Sequence, residues 1–519
     1  MNSIKEILDK IPKQGWEAIA SRGMDFLKTS LFTPVAIKPI KKIIGVGYSC
    51  RMTFGTKDFV STYVLTADIE KIGRALKGKF FNHPAVFRKF LQTYYRLVAK
   101  INKDIVGMAG EDMKKLSNAQ LINILHRYFT DYAAIFPYGM IGNRVATAGL
   151  APIVKQFLDK KHYPESWEEV LNKLVVPPRQ TYIFQEESNL LSLAVKISQS
   201  PSLKGKLIKI LNQNSPVSFD KLLTVDVKLA KWLNAHYKKY FWVLLAMNRD
   251  RWEEKITGRL REFLSFSPGE LKEKFNSHCD SWRNLIKIKQ QLTKKLRPNG
   301  AVRQAIRLLG EFVALRDHFG PINRYIPEAV RPLLLEAGRR LGLDYDAVTL
   351  LTKEEIMAAL KEENHGLLKN IIRERGQYYA LIDDAGGQQI LSGQNARALY
   401  EKMFPTQKNE PGWQTVRGQI ACKGVARGPA RVVLTMDDLK LVQLGDIMIS
   451  PNTSTEMMAA IKKVAGIATD EGGMGSHAAI VSREFSIPCI VGTKIGTKTI
   501  KNYEMIEVDA NAGVIKKIS

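Results

Sequence analysis

Residues 469–492 read TDEGGMGSHAAIVSREFSIPCIVG, and the rest of the chain is organised around this stretch. Just before and into it, residues 465–469 form a short apolar run suited to a buried strand, which Asp470, Glu471, Gly472 and Gly473 break into a turn. Ser476 is placed to cap a helix predicted over residues 477–485, its hydroxyl accepting an amide hydrogen bond two or three positions on. Pro488 is read as the stop of that helix and residues 489–491 as the next strand. His477 therefore stands at the first helical position, on a glycine turn, where free amides and the helix dipole favour negative charge. An imidazole so placed is suited to carry a phosphoryl group; the alternative is an ordinary histidine on a polar loop.

Two other readings of the same residues fail. Gly473-x-Gly475-x-x-Ala478 has the form of a dinucleotide fingerprint, yet no acidic residue follows about twenty positions on, where Lys494, Lys498 and Lys501 cluster. Ser476 beside His477 is not a nucleophile with its base, because adjacent helical residues do not face each other and the nucleophile-elbow pattern is absent.

Outward from the motif, short strands are predicted at 417–421, 424–434, 446–450, 465–469, 489–491, 505–508 and 514–518, with helices at 456–464 and from 477. This is a separate small domain, 413–519, preceded by the polar, two-proline segment 404–412, FPTQKNEPG, which reads as a linker. Residues 1–403 are mainly helical. Ile4, Ile7, Leu8 and Ile11 begin one or two short amphipathic helices over residues 1–40, broken at Pro12 and near Pro34. Residues 43–52 and 58–65 are β-branched and aromatic around Gly55-Thr56-Lys57, so a β-hairpin is expected near 42–65. Residues 371–399 read as a helix end, two short strands around Asp384–Gly387, and a new helix.

Within the helical part, residues 132–143, YAAIFPYGMIGN, are taken as a break that turns a corner. Glu186 and Glu187 are adjacent on a helix and are read as a solvated face. Trp232, His236, Tyr240 and Trp242, followed by Arg249, Arg251 and Arg259–Arg261, suit either a flat anionic ligand or an amphipathic helix with an aromatic core face. Arg373 and Arg375 read either as phosphate contacts or as structural ion pairs.

The chain has 519 residues, 45% of them hydrophobic, a size for about three packed domains. No apolar run approaches a membrane span and the N-terminus lacks a signal-peptide pattern, so a cytoplasmic protein is expected. Cys50, Cys279, Cys422 and Cys489 lie far apart and form no CxxC pair, so neither a disulfide framework nor a zinc site is implied. Formal charge is +27; residues 412–519 hold 13 basic and 10 acidic residues, so +24 of it lies on residues 1–411. Such a field attracts a phosphorylated donor, an acidic substrate, nucleic acid or an anionic surface, with nucleic acid not favoured.

The segment from the glycine pair through Ser-His-Ala-Ala, Arg483-Glu484 and Ile-Pro to the closing Val-Gly resembles the phosphohistidine signature of the phosphoenolpyruvate-utilising enzymes. That family includes phosphoenolpyruvate synthase, pyruvate phosphate dikinase, rifampicin phosphotransferase and phenylphosphate synthase. Gly338-Arg-Arg-Leu341 leading to Leu351-Thr-Lys-Glu-Glu355 is similar to the helical region ahead of the histidine domain in such proteins, and Thr352 with Glu355 is also a capping box.

The resemblance implies an α+β multidomain fold, a helical acceptor-binding region followed by a compact β/β/α swivelling domain. It implies that His477 is transiently phosphorylated, that Gly472, Gly473, Ser476 and Ala478 steady the phosphate, and that Thr469, Arg483 and Glu484 support them. Gly475 stands where many members carry Thr. No glycine loop for a nucleotide and no pyruvate-binding barrel is found in the sequence, so an ATP-grasp partner in trans is expected, bringing Mg²⁺ with its nucleotide, and the chain itself is expected to hold no metal or other cofactor. Two alternatives stand beside this: a basic scaffold with an idle histidine domain, and a complete phosphotransferase with a cryptic nucleotide site. The acceptor is left open.

Overall fold

The computed structural model describes residues 4–518 apart from 13–14, 23, 58–59, 109–111, 213–216, 246–251, 363–365, 367, 405–412, 435–437, 454–456 and 471–476. The chain divides into two compact units, one of residues 1–42, 47–69 and 338–519, the other of residues 43–46 and 70–337. Among the described residues no helix is long and apolar enough to cross a membrane.

In the first unit, strands β1 (Trp16–Arg22), β2 (Cys50–Gly55), β3 (Val60–Leu65), β4 (Tyr379–Asp384) and β5 (Gly387–Ser392) form an antiparallel sheet in the order β1-β3-β2-β4-β5. The predicted hairpin is the β2–β3 pair, with Gly55 opposite Val60, and the pair around residues 384–387 is β4–β5. Alternation along the strands sorts side chains to two faces. Met52, Phe54, Ala380 and Ile382 pack with Ile7, Leu399 and Met403, whereas Tyr379 and Leu381 pack with Phe26 and Leu350. Strand β1 corrects the all-helical reading of residues 1–40. Its sequence, WEAIASR, has little β-branched content, and it is an edge strand with a register shift between Ala18 and Ala20, so pairing with β3 rather than local propensity makes it a strand.

The capping box is present: Glu355 accepts the Thr352 amide at 2.8 Å and donates its own amide to Thr352 Oγ1 at 3.2 Å. Arg375 forms the structural ion pair, bonding both Glu355 oxygens at 2.6 and 2.8 Å and lying 4.3 Å over the Phe26 ring. Phe404, assigned to the linker by sequence, stacks on Tyr63 with ring centroids 4.3 Å apart; residues 405–412 lie outside the described residues.

The helical unit overturns two expectations. Residues 132–143 are no corner: the helix Asn118–Met140 passes through a π-helical turn, Ile141–Val145, straight into the helix Ala146–Lys160. Gly139 leaves room for the Phe319 ring to seat against this helix, and Tyr132 donates to the Asn323 carbonyl at 2.8 Å, so packing holds a segment that composition reads as a break. Glu186 is not solvated. It is fully buried, bonded to Arg259 and to His236 Nε2. Arg249 and Arg251 lie outside the described residues.

The second sheet uses residues 415–517 only. Its strands are β6 (Thr415–Arg417), β7 (Gln419–Cys422), β8 (Val425–Val432), β9 (Ile447–Ser450), β10 (Gly466–Thr469), β11 (Cys489–Val491), β12 (Met505–Asp509) and β13 (Val514–Lys517), in the order β6-β13-β12-β8-β9-β10-β11-β7. The single strand expected at 417–421 is two strands at opposite ends of that order, joined by Gly418 alone. Arg417 and Gln419 are two Cα steps apart, under about 8 Å, so the sheet must curl until its ends meet. At this seam Gly418 donates to the Gly513 carbonyl at 3.1 Å. The curled sheet buries Val416, Ile447, Ile449, Ala468, Ile490, Ile506 and Ile515 as one cluster. The alternate positions Met448, Ile467, Cys489 and Val491 join a second cluster with Ile461, Ala478 and Val481 of the helices.

Candidate functional site

The site begins where β10 ends. Thr469 is fully buried, and its carbonyl accepts the Thr493 amide at 3.0 Å. Asp470 follows, with its amide donated to the Ser450 carbonyl at 3.0 Å and its own carbonyl accepting the Lys494 amide at 3.0 Å. Its carboxylate accepts the Thr497 amide at 3.2 Å from each oxygen, the Thr493 hydroxyl at 2.7 Å and the Thr497 hydroxyl. Gly492 (φ 72°) and Lys494 (φ 67°) adopt left-handed backbone, which turns the chain after β11 back toward Asp470. Sequence reading missed this clasp. The only local signal is a pair of threonines four residues apart after the closing Val-Gly.

Residues 471–476, which include Gly472, Gly473, Gly475 and Ser476, lie outside the described residues. His477 opens the next helix, His477–Glu484, at the position the spacing predicts, and Glu484 is its last residue. Ala478 and Ala479 are buried, as are Val481 and Ser482; the two small side chains let the first turn lie close to the sheet. Arg483 is exposed in the last turn. The helix stops before Pro488: Ser486 takes φ 55° and the Ile487 amide closes back on the Ser482 carbonyl at 2.8 Å. Beneath it, Cys489 pairs in register with Cys422 across β11 and β7, and burial pushes the Cys489 thiol up to about 12, so it is a packed, protonated group.

Among the described residues no three His, Cys, Asp or Glu side chains converge as a metal site. The Asp470 carboxylate accepts three threonine donor hydrogens, the amide of Thr497 being shared between its two oxygens.

In the helical unit, sequence reading also passed over His318. Its Nδ1 lies 2.9 Å from the Tyr94 hydroxyl, with the Tyr95 and Tyr182 rings 5.2 and 5.0 Å from the imidazole. Burial, with the Arg179 charge, pushes His318 down to about 4, so the ring is neutral at pH 7.

Residues 442–513, which contain the Asp470 clasp and the His477 helix, match the family described as PEP-utilising enzyme, mobile domain. Over 100 residues, 19% of this chain and 15% of the relative, the sequence is 41% identical to the probable phosphoenolpyruvate synthase of Methanothermobacter thermautotrophicus. It is 32% identical over 199 residues to the phosphoenolpyruvate synthase of Pyrococcus furiosus, covering 37% of this chain and 24% of that one. The rifampicin phosphotransferase of Bacillus subtilis is 27% identical over 291 residues, 52% of this chain and 32% of the relative. The chain thus spans less than a third of the length of each of these relatives. Strands β9 to β12 of the curled sheet and the helix that starts at His477 lie in a stretch, residues 442–513, that matches the mobile domain of the PEP-utilising enzymes.

Proposed function

We propose that this chain is a phosphotransferase component in which His477 carries a phosphoryl group from a nucleotide-binding ATP-grasp partner, supplied in trans, to an acceptor bound by the helical unit. The observation that carries the reading is the start of a helix at His477, seven residues after the clasped Asp470, inside a stretch matched to the mobile domain. At a helix start, amide groups without intrahelical partners favour an anionic group, which suits a phosphorylated imidazole.

In the first step an imidazole nitrogen attacks phosphorus, an N–P bond forms, and the P–O bond to the donor breaks with its electron pair leaving on oxygen. In the second, an acceptor hydroxyl oxygen attacks phosphorus, loses its proton, and the N–P electron pair returns to the imidazole. Charge neutralisation on the phosphoryl oxygens would come from Mg²⁺ brought with the partner's nucleotide. Gly472, Gly473, Ser476 and the Ala478 amide are assigned to steadying the phosphate, with Thr469, Arg483 and Glu484 in support.

The test is to mix the full chain with ATP, Mg²⁺ and host extract, and to map acid-labile phosphate by mass spectrometry that preserves it. Label on the peptide holding His477, and its loss in His477→Ala, is the expected result; label retained by that variant refutes the reading. The charge of +24 on residues 1–411 favours one other reading, a basic scaffold. Steeply salt-dependent binding to random RNA or DNA, with no phosphorylated chain, is its signature.

A further inference from the structure

We infer that Asp470 is a positioning residue for the phosphoryl-carrying histidine, acting through Thr493 and Thr497, and that it is neither a metal ligand nor a general base; this rests on the carrier reading of His477. An acidic side chain seven positions from a phosphate-carrying imidazole invites a catalytic role, and geometry argues against one. Both carboxylate oxygens accept the Thr497 amide, and the Thr493 and Thr497 hydroxyls complete the set. Three donor hydrogens, the shared Thr497 amide and the two hydroxyls, thus hold the carboxylate toward the loop after β11. Backbone bonds extend the hold in both directions, from the Asp470 amide to Ser450 of β9 and from its carbonyl to Lys494.

The clasp thus ties three pieces of chain, the end of β9, the end of β10 and the loop after β11, at the point from which the polypeptide departs toward His477. The far end is fixed independently, because Ala478 and Ala479 are buried in the core under the helix. Two anchored ends set where the helix start lies relative to the sheet. Phosphoryl transfer is sensitive to such placement: a misplacement of about 1 Å costs on the order of a hundredfold in rate. Thr497 Oγ1 is the separable part of the clasp, since removing it leaves the backbone bonds in place.

The test uses the full chain as Thr497→Ala, Thr497→Ser, Asp470→Asn and wild type, titrated against a fixed amount of host extract with ATP and Mg²⁺, reading initial labelling at His477. Thr497→Ala and Asp470→Asn are expected to lower the maximal rate by about 10- to 100-fold, with the half-saturating chain concentration unchanged, and Thr497→Ser to restore the wild-type rate. Amide hydrogen exchange at Thr493 and Lys494 should quicken by about tenfold in Thr497→Ala and return to normal in Thr497→Ser. Wild-type labelling in both disruptive variants, or exchange that does not change, overturns the assignment while leaving the carrier reading intact. A wild-type chain that takes no label removes the carrier reading, and this assignment with it.

Discussion

One guanidinium nitrogen of Arg259 bonds both carboxylate oxygens of Glu186, at 2.9 and 2.8 Å, with His236 Nε2 3.1 Å from one of them. Glu186 is 0% exposed, so the helix Tyr182–Ser198 holds a charge inside the helical unit against the helices Val227–Leu245 and Trp252–Ser265. Removing one partner strands the other. Arg259→Ala should destabilise the chain by about 3–5 kcal/mol in urea unfolding, and replacing Glu186 and Arg259 together by methionine should recover most of it. A cost below about 1 kcal/mol for Arg259→Ala rejects this account.

The same pair sets a pH dependence. Burial would raise the Glu186 carboxyl, but the His236 hydrogen bond and the Arg259 charge hold it below its ordinary value of 4.5. A carboxyl depressed in the folded state stabilises above its unfolded value and loses that contribution as pH falls through the folded one. Acid unfolding of wild type should therefore steepen below pH 4.5, and Arg259→Ala should blunt that limb; an unchanged acid limb contradicts it.

Asp383 runs the other way. It is 1% exposed on β4, and burial pushes its carboxyl up to about 6, against hydrogen bonds from Thr33 and Gln388 and the Arg51 charge. Among the described residues its Oδ2 has no hydrogen-bond partner. A raised acid favours folding while it is protonated; that contribution is present at low pH and lost as pH rises from about 4 toward 6. Asp383→Asn keeps the shape without the charge, so its melting temperature at pH 8 should exceed wild type, by a free energy on the order of 1–3 kcal/mol. Below pH 4 the gain should vanish. Equal pH profiles for the two proteins would sink the account.

The strands and helix around His477 were legible because their chemistry is local. Short β-branched runs, Gly-Gly and Ile-Pro punctuate residues 465–492, and the helix starts at His477, the position the spacing predicts. Non-local features were not. Trp16–Arg22 becomes a strand by pairing with β3, and Glu186 looks like any surface acid until Arg259, 73 positions away, is folded against it. Pro137 and Gly139 suggested a break because propensity ignores the Phe319 ring that packs there. Asp470 was read as a turn former, and its threonine partners lie more than twenty residues on, beyond any local pattern.

Gly73 and Gly149 make a helix crossing in which backbones touch. A methyl added at Gly149 would fall inside van der Waals contact of the Gly73 carbonyl oxygen, and one at Gly73 would lie 3.0 Å from the Gly149 nitrogen. Neither obstacle is a side chain that can swing away. Gly149→Ala should cost more than its small helix-propensity gain of about 1 kcal/mol, for a net loss of about 1–3 kcal/mol, whereas Gly205→Ala, with open space, should be neutral or stabilising. Stabilisation by Gly149→Ala in thermal unfolding would show that the helices are not this close.

Gly418 offers the corresponding test of the curled sheet. It is the only residue between β6 and β7, which lie at opposite ends of the strand order beside β13 and β11. A Cβ there would meet Ile490 Cγ2 at 2.6 Å, the Val491 carbonyl oxygen at 2.8 Å and Thr493 Cγ2 at 3.1 Å. The first contact can be relieved by trimming a side chain; the second is backbone and cannot. Gly418→Ala should therefore destabilise by about 1–3 kcal/mol, and adding Ile490→Ala should not restore the loss, because it opens a cavity and leaves the carbonyl clash. The third contact presses on Thr493, whose hydroxyl serves Asp470, so His477 labelling in Gly418→Ala should fall by more than the unfolded fraction explains. If labelling tracks only the folded fraction, the seam and the clasp act independently, and the sheet's closure supports the domain without steering its histidine.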